Sequence, residues 1–179
     1  MPVSLTELRN ELDTILEPAR FSDYCPNGLQ VEGRDEVSLL VTGVTACQAL
    51  IDAAIETGAD ALLVHHGYFW KGEPEPIVGM KRRRIAALLA NDISLLAYHL
   101  PLDAHPRFGN NASLARMLDI VVEDTLEPGN PAAIGNIGHL QQVSTVQVLL
   151  DRIRAQLGRE ALHIGEPHER VQRIAWCSG

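Results

Sequence analysis

Cysteine is scarce in this sequence, and its few members do not form a motif. The 179 residues contain three cysteines, Cys25, Cys47 and Cys177. Their number is odd, no two are close together and there is no CxxC pair, which argues against a disulfide framework and against a thiolate zinc site. We therefore expect reduced cysteines in a cytoplasmic protein.

Long apolar runs and excess positive charge are also lacking. No window of 18 consecutive apolar residues occurs, so no membrane-spanning helix is predicted. The first 20 residues carry acids and no apolar core, which is unlike a signal peptide. The net charge of −8 and the pI near 5.3 argue against binding to nucleic acid or to an anionic membrane surface.

Apolar residues make up 46% of the chain and follow a pattern that predicts an α/β fold. A capping box at Ser4 and Glu7 opens the first helix. Uniformly apolar segments then alternate with segments of helical periodicity, which is typical of a parallel sheet covered on both faces. We expect this sheet within residues 37 to about 122. The predicted strands are 37–44, 61–65 and 93–99, and the predicted helices are 47–60, 80–92 and 110–120.

The composition changes after this region. Residues 123–140 are rich in proline, glycine and asparagine and are interpreted as a connector. A helix is predicted over 145–158, followed by short strands at 161–165 and 171–179. Nothing in this sequence would cover the last strand, so we expect either another chain to cover it or the natural protein to be longer.

Two predicted strand ends carry residues suited to chemistry. The segment "LLVHHGYFW" (62–70) ends a strand on His65 and His66, and "AYHLPLDAH" (97–105) follows another strand with His99 and Asp103. Ligands of open parallel sheets bind beyond the carboxyl ends of the strands. Gly67 lets the backbone turn there, so that both imidazoles could face one pocket. We predict a metal site of His65, His66 and Asp103, with two ions as the natural arrangement.

Several of these residues have simpler interpretations. A histidine at a strand end is more often a hydrogen-bonded polar group than a ligand, and His99 could orient a ligand or transfer a proton. Tyr68, Phe69 and Trp70 are most simply packing residues, although they could stack on a heterocyclic substrate. The basic run 81–84 is interpreted as a solvated helix face, with anion binding as the alternative.

Five motifs taken together resemble one known family: "SDYCPNGLQVEG", "VTGVTACQALID", "LLVHHGYFWKG", "AYHLPLDAHPRFGNNASLA" and "VQRIAWCSG". They resemble the Nif-three-like proteins, which are hexamers with a dinuclear metal centre and are described as homologues of GTP cyclohydrolase I type 2. The resemblance runs from about residue 20 to the end of the chain.

The resemblance implies a fold and a set of metal ligands. Two similar α/β/α lobes are expected, of which residues 1–125 would form the first and 126–179 a connector and an incomplete second lobe. The paired metal histidines of the family fall on His65 and His66, and its metal-binding aspartate falls on Asp103. His99 takes the first position of the H-x-x-L-D motif. The family also has a histidine and a glutamate four residues apart near its C-terminus, which this sequence does not contain, so we expect the chain to be shorter than its relatives.

The function implied by the resemblance is metal-dependent hydrolysis. Two divalent ions (Fe, Zn, Mn or Ni) would activate water for attack on an electrophilic carbon or phosphorus, with His99 as the catalytic residue. A nucleotide or another small molecule would be the substrate, and the protein would form a homohexamer. Two alternatives stay open: a non-catalytic scaffold that uses the same fold, and an inactive fragment without the C-terminal ligands.

Overall fold

The computed structural model describes residues 1–130 and 132–178. The chain divides into two compact units, Met1–Leu102 and Asp103–Gly179. These units are not the same as the predicted lobes, 1–125 and 126–179. The lobes follow from the resemblance to longer proteins, and they stay a prediction. Within the described residues, no helix is both long enough and apolar enough to cross a membrane.

The first unit is built on a four-stranded mixed sheet. Its elements are β1 (Val3–Ser4), α1 (Leu5–Leu16), β2 (Gly28–Val31), β3 (Glu36–Val37), β4 (Leu40–Thr45), α2 (Gln48–Thr57), β5 (Ala61–His66), α3 (Gly79–Ala90), β6 (Ser94–Ala97) and the start of α4 (Leu100–Ala104). The strand order is β2-β6-β5-β4, and β4, β5 and β6 run parallel as predicted. A separate antiparallel pair joins β1 to β3.

The central strands of this sheet, β5 and β6, are buried on both faces, which explains why they are largely apolar. In β5, Leu62 and Val64 pack in one core cluster with residues of α2 and α3. The alternate residues Ala61 and Leu63 pack in a second cluster with residues of α1. Since successive strand residues point to opposite faces, a strand covered on both sides is apolar on both sides. The edge strand β4 is partly exposed and carries Thr42 and Thr45. The predicted α/β fold is confirmed.

Helix α1 begins and ends where the sequence predicts. The Ser4 hydroxyl accepts a hydrogen bond from the backbone N–H of Glu7, and the Glu7 carboxylate accepts one from the backbone N–H of Ser4. This pair is the predicted capping box. Glu17 ends the helix in a left-handed conformation, and Pro18 follows.

Strand β2 was not predicted. It pairs antiparallel with β6 and forms an edge of the sheet. Its four residues lie between Pro26-Asn27 and Gly33, so the turn-forming residues around it dominate the local pattern.

The second unit is built on an antiparallel sheet. Its elements are α5 (Asn110–Met117), β7 (Ile120–Thr125), β8 (Asn136–Thr145), α6 (Val146–Leu157) and β9 (Arg170–Trp176). The strand order is β7-β8-β9, with both pairs antiparallel. A small core cluster contains Ala115, Leu118, Ile120 and Leu140.

Two expectations for the second unit are corrected by the structure. The predicted connector 123–140 overlaps β7 and β8, so only its middle part lies outside strands. Residues 161–165 form no strand, because Leu162 and Ile164 are 92% and 90% exposed and have no core to pack against. Helix α6 and strand β9 are confirmed, and Gly158 ends α6 with a φ of 68°.

Candidate metal centre

Three histidines meet where two parallel strands end. His65 and His66 are the last residues of β5, and His99 follows β6 after one intervening residue. The pairing of the two strands continues past β6, because the backbone N–H of Tyr98 donates to the carbonyl oxygen of Val64 at 3.0 Å. This register places His99 beside the tip of β5, at the edge where parallel sheets bind their ligands.

The three imidazoles form a compact cluster. Ring centroids are 4.4 Å apart for His65 and His66, 4.9 Å for His65 and His99, and 5.6 Å for His66 and His99. One ring nitrogen from each residue lies within 4.8 Å of the others. His65 is only 8% exposed, and the other two are partly buried. Imidazole nitrogens gathered at this spacing are a donor set for a first-row transition metal.

Hydrogen bonds set the tautomers of two of these histidines. Nδ1 of His65 lies 3.1 Å from the carbonyl oxygen of Tyr98. A carbonyl oxygen can only accept, so Nδ1 carries the proton and Nε2 carries the lone pair that a metal would use. Nδ1 of His99 likewise donates to Oδ1 of Asp23 at 2.8 Å. A metal-ligating histidine normally has its second ring nitrogen held in this way.

His66 is held by the neighbouring strand. Its Nδ1 lies 3.3 Å from Oγ1 of Thr45, the residue opposite it in the β4–β5 register. The backbone N–H of Ala46 donates to the His66 carbonyl oxygen at 2.9 Å and extends this pairing. A hydroxyl can donate or accept, so this contact orients the ring without choosing its tautomer.

Asp23 is the residue of the site that the sequence did not indicate. Its carboxylate accepts hydrogen bonds from the His99 ring, from Nδ2 of Asn27 and from the backbone N–H groups of Leu100 and Tyr24. Burial raises the pKa of Asp23, but these four hydrogen bonds outweigh it and leave the pKa below its ordinary value. The carboxylate is therefore ionised at neutral pH and holds His99 in place.

Cys25 lies next to this pair. One ligand atom each from Cys25, Asp23 and His99 falls within 4.8 Å of the others. Burial, together with the negative charge of Asp23, raises the pKa of the Cys25 thiol to about 11. The thiolate is the form that attacks and binds metals. Cys25 is thus a neutral thiol at neutral pH, in line with the absence of any basic neighbour in its sequence.

Asp103 belongs to the second unit and is described within it. Its side chain is fully buried, and Oδ1 accepts hydrogen bonds from Nδ2 of Asn110 at 2.8 Å and from Oγ of Ser178 at 2.7 Å. The carboxylate therefore has polar donors around it. Its role as a metal ligand rests on the resemblance and stays a prediction.

Glycine is required directly after the paired histidines. A Cβ atom built on Gly67 would lie 2.7 Å from Cβ of Ala97 and would overlap Oε1 of Gln30. The same Gln30 oxygen accepts a hydrogen bond from the backbone N–H of Tyr68 at 2.7 Å. The backbone directly after His66 is therefore packed closely against Ala97 and Gln30.

The fold and the site together define a class: an α/β protein with a histidine cluster suited to metal at the carboxyl ends of parallel strands. Comparison with known proteins gives the family. The Duf34/NIF3 (NGG1p interacting factor 3) family matches residues 3–179. The chain belongs to this family, as the sequence motifs predicted.

Bacterial relatives agree with this assignment. The GTP cyclohydrolase 1 type 2 homolog of Pseudomonas aeruginosa is 56% identical over 181 residues, which cover all of this chain and 71% of the relative. A solved structure described as protein ybgI, of unknown function, has a TM-score of 0.92 at 52% identity and is matched over 98% of this chain and 69% of its own. The crystal structure of TTHA1606 from Thermus thermophilus has a TM-score of 0.81 at 37% identity, over 95% of this chain and 69% of its own.

Proposed function

We propose that this protein is a metal-dependent hydrolase. Its centre would hold two divalent ions (Fe, Zn, Mn or Ni) through His65, His66 and Asp103, with His99 as the residue that transfers protons. The observation that supports this best is the cluster of three imidazoles with ligand atoms within 4.8 Å of one another. Adjacent histidines at a strand tip would suit one ion each of such a pair.

The donor set fits such ions. Nδ1 of His65 is engaged with the Tyr98 carbonyl oxygen, so Nε2 is the nitrogen that would bind a metal. Imidazole is a good ligand for zinc, iron and nickel. When bound, divalent ions polarise an electrophilic group and make water more acidic, which is the chemistry of hydrolysis.

The pair formed by His99 and Asp23 suits proton transfer. Because Nδ1 of His99 donates to Asp23, Nε2 is the atom that can accept a proton. The ionised carboxylate would stabilise the imidazolium that results, as an aspartate does when it orients a catalytic histidine. His99 is thus assigned to proton transfer and the other two histidines to metal binding.

The substrate proposed is a nucleotide. Relatives at 53% to 56% identity carry the name GTP cyclohydrolase 1 type 2 homolog, and this name is the support for that choice. The homohexamer implied by the resemblance is part of the same proposal. Size-exclusion chromatography with light scattering should give six times the mass of the 19.6-kDa chain.

Metal content tests the centre. The purified chain is loaded with Zn²⁺, Fe²⁺, Mn²⁺ or Ni²⁺, desalted and analysed by mass spectrometry. We expect about two ions per chain, with lower content in His65→Ala, His66→Ala and Asp103→Asn. His168→Ala is the matched control, because His168 is exposed and outside the cluster. Content below about 0.2 ions per chain after loading would remove the centre from consideration.

Turnover tests the assignment of His99. With a nucleoside triphosphate as substrate, we expect hydrolysis that depends on the loaded metal. His99→Asn should keep the wild-type metal content and lose about 100-fold in rate, the usual contribution of a proton-transfer residue. Loss of metal from this variant would make His99 a ligand instead, and absence of turnover in the loaded wild-type protein would contradict the hydrolase.

A further inference from the structure

A cavity of about 260 Å³ adjoins the histidine cluster. Its walls are Phe69, Trp70, Glu73, Glu75 and Lys81. Trp70 belongs to both features, because its ring stands edge-on to His99 with centroids 4.9 Å apart. A molecule that contacts Trp70 in this cavity would therefore be linked to the His99 imidazole through the indole ring.

The segment that forms the wall is fixed at several points. The Gln30 side chain bridges Tyr68: Oε1 accepts from its backbone N–H at 2.7 Å, and Nε2 donates to its carbonyl oxygen at 3.1 Å. The Tyr68 hydroxyl donates to the carbonyl oxygen of Ala46 at 2.7 Å. The backbone N–H of Lys71 donates to the carbonyl oxygen of Tyr24 at 2.6 Å. The wall is pre-formed, which reduces the ordering that binding would require.

The conformations of the two aromatic wall residues, Phe69 and Trp70, are constrained. Phe69 has a φ of 64°, a left-handed conformation that costs free energy in a residue with a side chain and that concentrates at functional sites. The indole N–H of Trp70 donates to the carbonyl oxygen of Gly67 at 3.2 Å. Trp70 has therefore used its one polar hydrogen within the protein, and it contributes π-surface to the cavity.

A donor and an acceptor lie together on the same cavity. Nζ of Lys81 is 3.4 Å from Oε2 of Glu73, a loose contact, and it sits over the Phe69 ring at 4.9 Å from the centroid. The Lys81 side chain is 18% exposed and that of Glu73 is 39% exposed. The cavity thus combines flat aromatic surface with an ammonium donor next to a carboxylate acceptor.

We propose that this cavity binds a planar nitrogen heterocycle of nucleobase size, which stacks on Trp70 and turns its hydrogen-bonding edge toward Lys81 and Glu73. Aromatic walls hold flat heterocycles by stacking. The ammonium and the carboxylate match an edge on which an acceptor adjoins a donor, as in hypoxanthine or adenine. This inference rests on the proposed function, since the heterocycle would be the part of the substrate that contacts Trp70, the neighbour of His99.

The size of the cavity limits what it holds. Pockets for drug-sized ligands span roughly 300–1,000 Å³, and this one is smaller at about 260 Å³. One ring system therefore fits, and the sugar and phosphates of a nucleotide would lie outside. Binding should depend on the ring and its edge rather than on the phosphate groups.

Fluorescence tests the stacking. The chain has two tryptophans, so Trp176→Phe leaves Trp70 as the sole reporter. With metal removed by EDTA, we expect inosine and adenosine to quench this fluorescence saturably. Purine riboside, which lacks the exocyclic group and so one hydrogen bond, should bind about three-fold more weakly, and ribose 5-phosphate should not quench. Equilibrium dialysis with the wild-type protein should give the same ranking.

Substitutions of Lys81 and Glu73 test the hydrogen bonds to the edge of the heterocycle. Lys81→Met and Glu73→Gln should each weaken inosine binding by about three- to tenfold and leave purine riboside closer to its wild-type affinity. Arg83→Met is the matched control, because Arg83 lies on the same helix and is exposed. Trp70→Leu should weaken every nucleoside by about tenfold or more, as measured by dialysis.

The outcomes separate this inference from the proposed function. Absence of saturable binding of any nucleoside, equal binding of inosine and purine riboside, or unchanged binding in Trp70→Leu would overturn the heterocycle site. None of these results involves metal, so they would leave the metal centre standing. Conversely, if the protein binds inosine in this way but retains no metal after loading, the proposed hydrolase is contradicted and the heterocycle site is supported.

Discussion

Nδ1 of His99 donates a hydrogen bond of 2.8 Å to Oδ1 of Asp23, although 76 residues separate them in the chain. The backbone around them is tied to the same pair: the N–H of His99 donates to Oδ1 of Asn27, and the N–H of Leu100 donates to Oδ2 of Asp23. The loop before β2 therefore fixes both the position of His99 and its tautomer. The imidazole cluster depends on this loop as much as on the strands.

Asp23→Asn tests this dependence. The amide can still accept from Nδ1 of His99, but it carries no charge to stabilise an imidazolium. We expect turnover of the metal-loaded protein to fall by about 10- to 100-fold, the usual effect of an outer partner of a site histidine. Metal content should stay near that of the wild type, because His65 and His66 are untouched. Asp35→Asn, at an exposed position, is the control, and an unchanged rate would contradict the role of Asp23.

Local sequence patterns predict much of the fold of the first unit. The central strands β5 and β6 are largely apolar because both faces of the sheet are buried there, and such a run is visible in the sequence. The position of His65 and His66 at a strand end followed from the same run. The rule that ligands bind at the carboxyl ends of parallel strands then predicts a site at the edge of the sheet where these two histidines lie.

Other features have no local signal. The contact of Asp23 with His99 joins segments that are 76 residues apart, so no local pattern marks it. Strand β7 was missed because four of its six residues, including Val121 and Val122, are exposed, so no alternation of apolar and polar residues marks it. Strand β8 begins within a segment whose glycine and asparagine predict turns.

Thiol labelling tests the burial of Cys25. Its pKa of about 11 leaves very little thiolate at pH 8, and the side chain is 7% exposed. Cys177 is exposed and Cys47 is partly buried. We expect iodoacetamide at pH 8 to modify Cys177 first and Cys25 last, as followed by peptide mass spectrometry. In denaturant all three should react alike, and early labelling of Cys25 in the native protein would contradict the structure.

Asp60 should make the stability of the first unit depend on pH. Its carboxylate accepts from the backbone N–H groups of Leu39 and Ser38 and from Arg34, and the backbone hydrogen bonds chiefly hold its pKa below the ordinary value. A lowered pKa in the folded state adds stability above the unfolded value of about 3.9, and that stability is lost as the pH falls.

Asp60→Asn measures this contribution. We expect the free energy of unfolding in urea to fall by about 1–3 kcal/mol at pH 7. The difference from the wild type should shrink at pH values below about 4, where the carboxylate takes up protons. Glu36→Gln, at an exposed position, should change neither value. A constant difference between pH 7 and pH 3 would show that Asp60 acts without its charge.

Gly67→Ala tests the close packing of the chain directly after the paired histidines. The added methyl group would lie 2.7 Å from Cβ of Ala97 and overlap Oε1 of Gln30, so the strand or the Gln30 bridge to Tyr68 must shift. Overpacking of this kind costs about 1–3 kcal/mol, and we expect a matching loss in the free energy of unfolding together with lower metal content. Gln30→Ala serves as the comparison, because it removes the bridge without adding volume and should reduce metal content less. A Gly67→Ala protein with wild-type stability and metal content would show that this position tolerates a side chain.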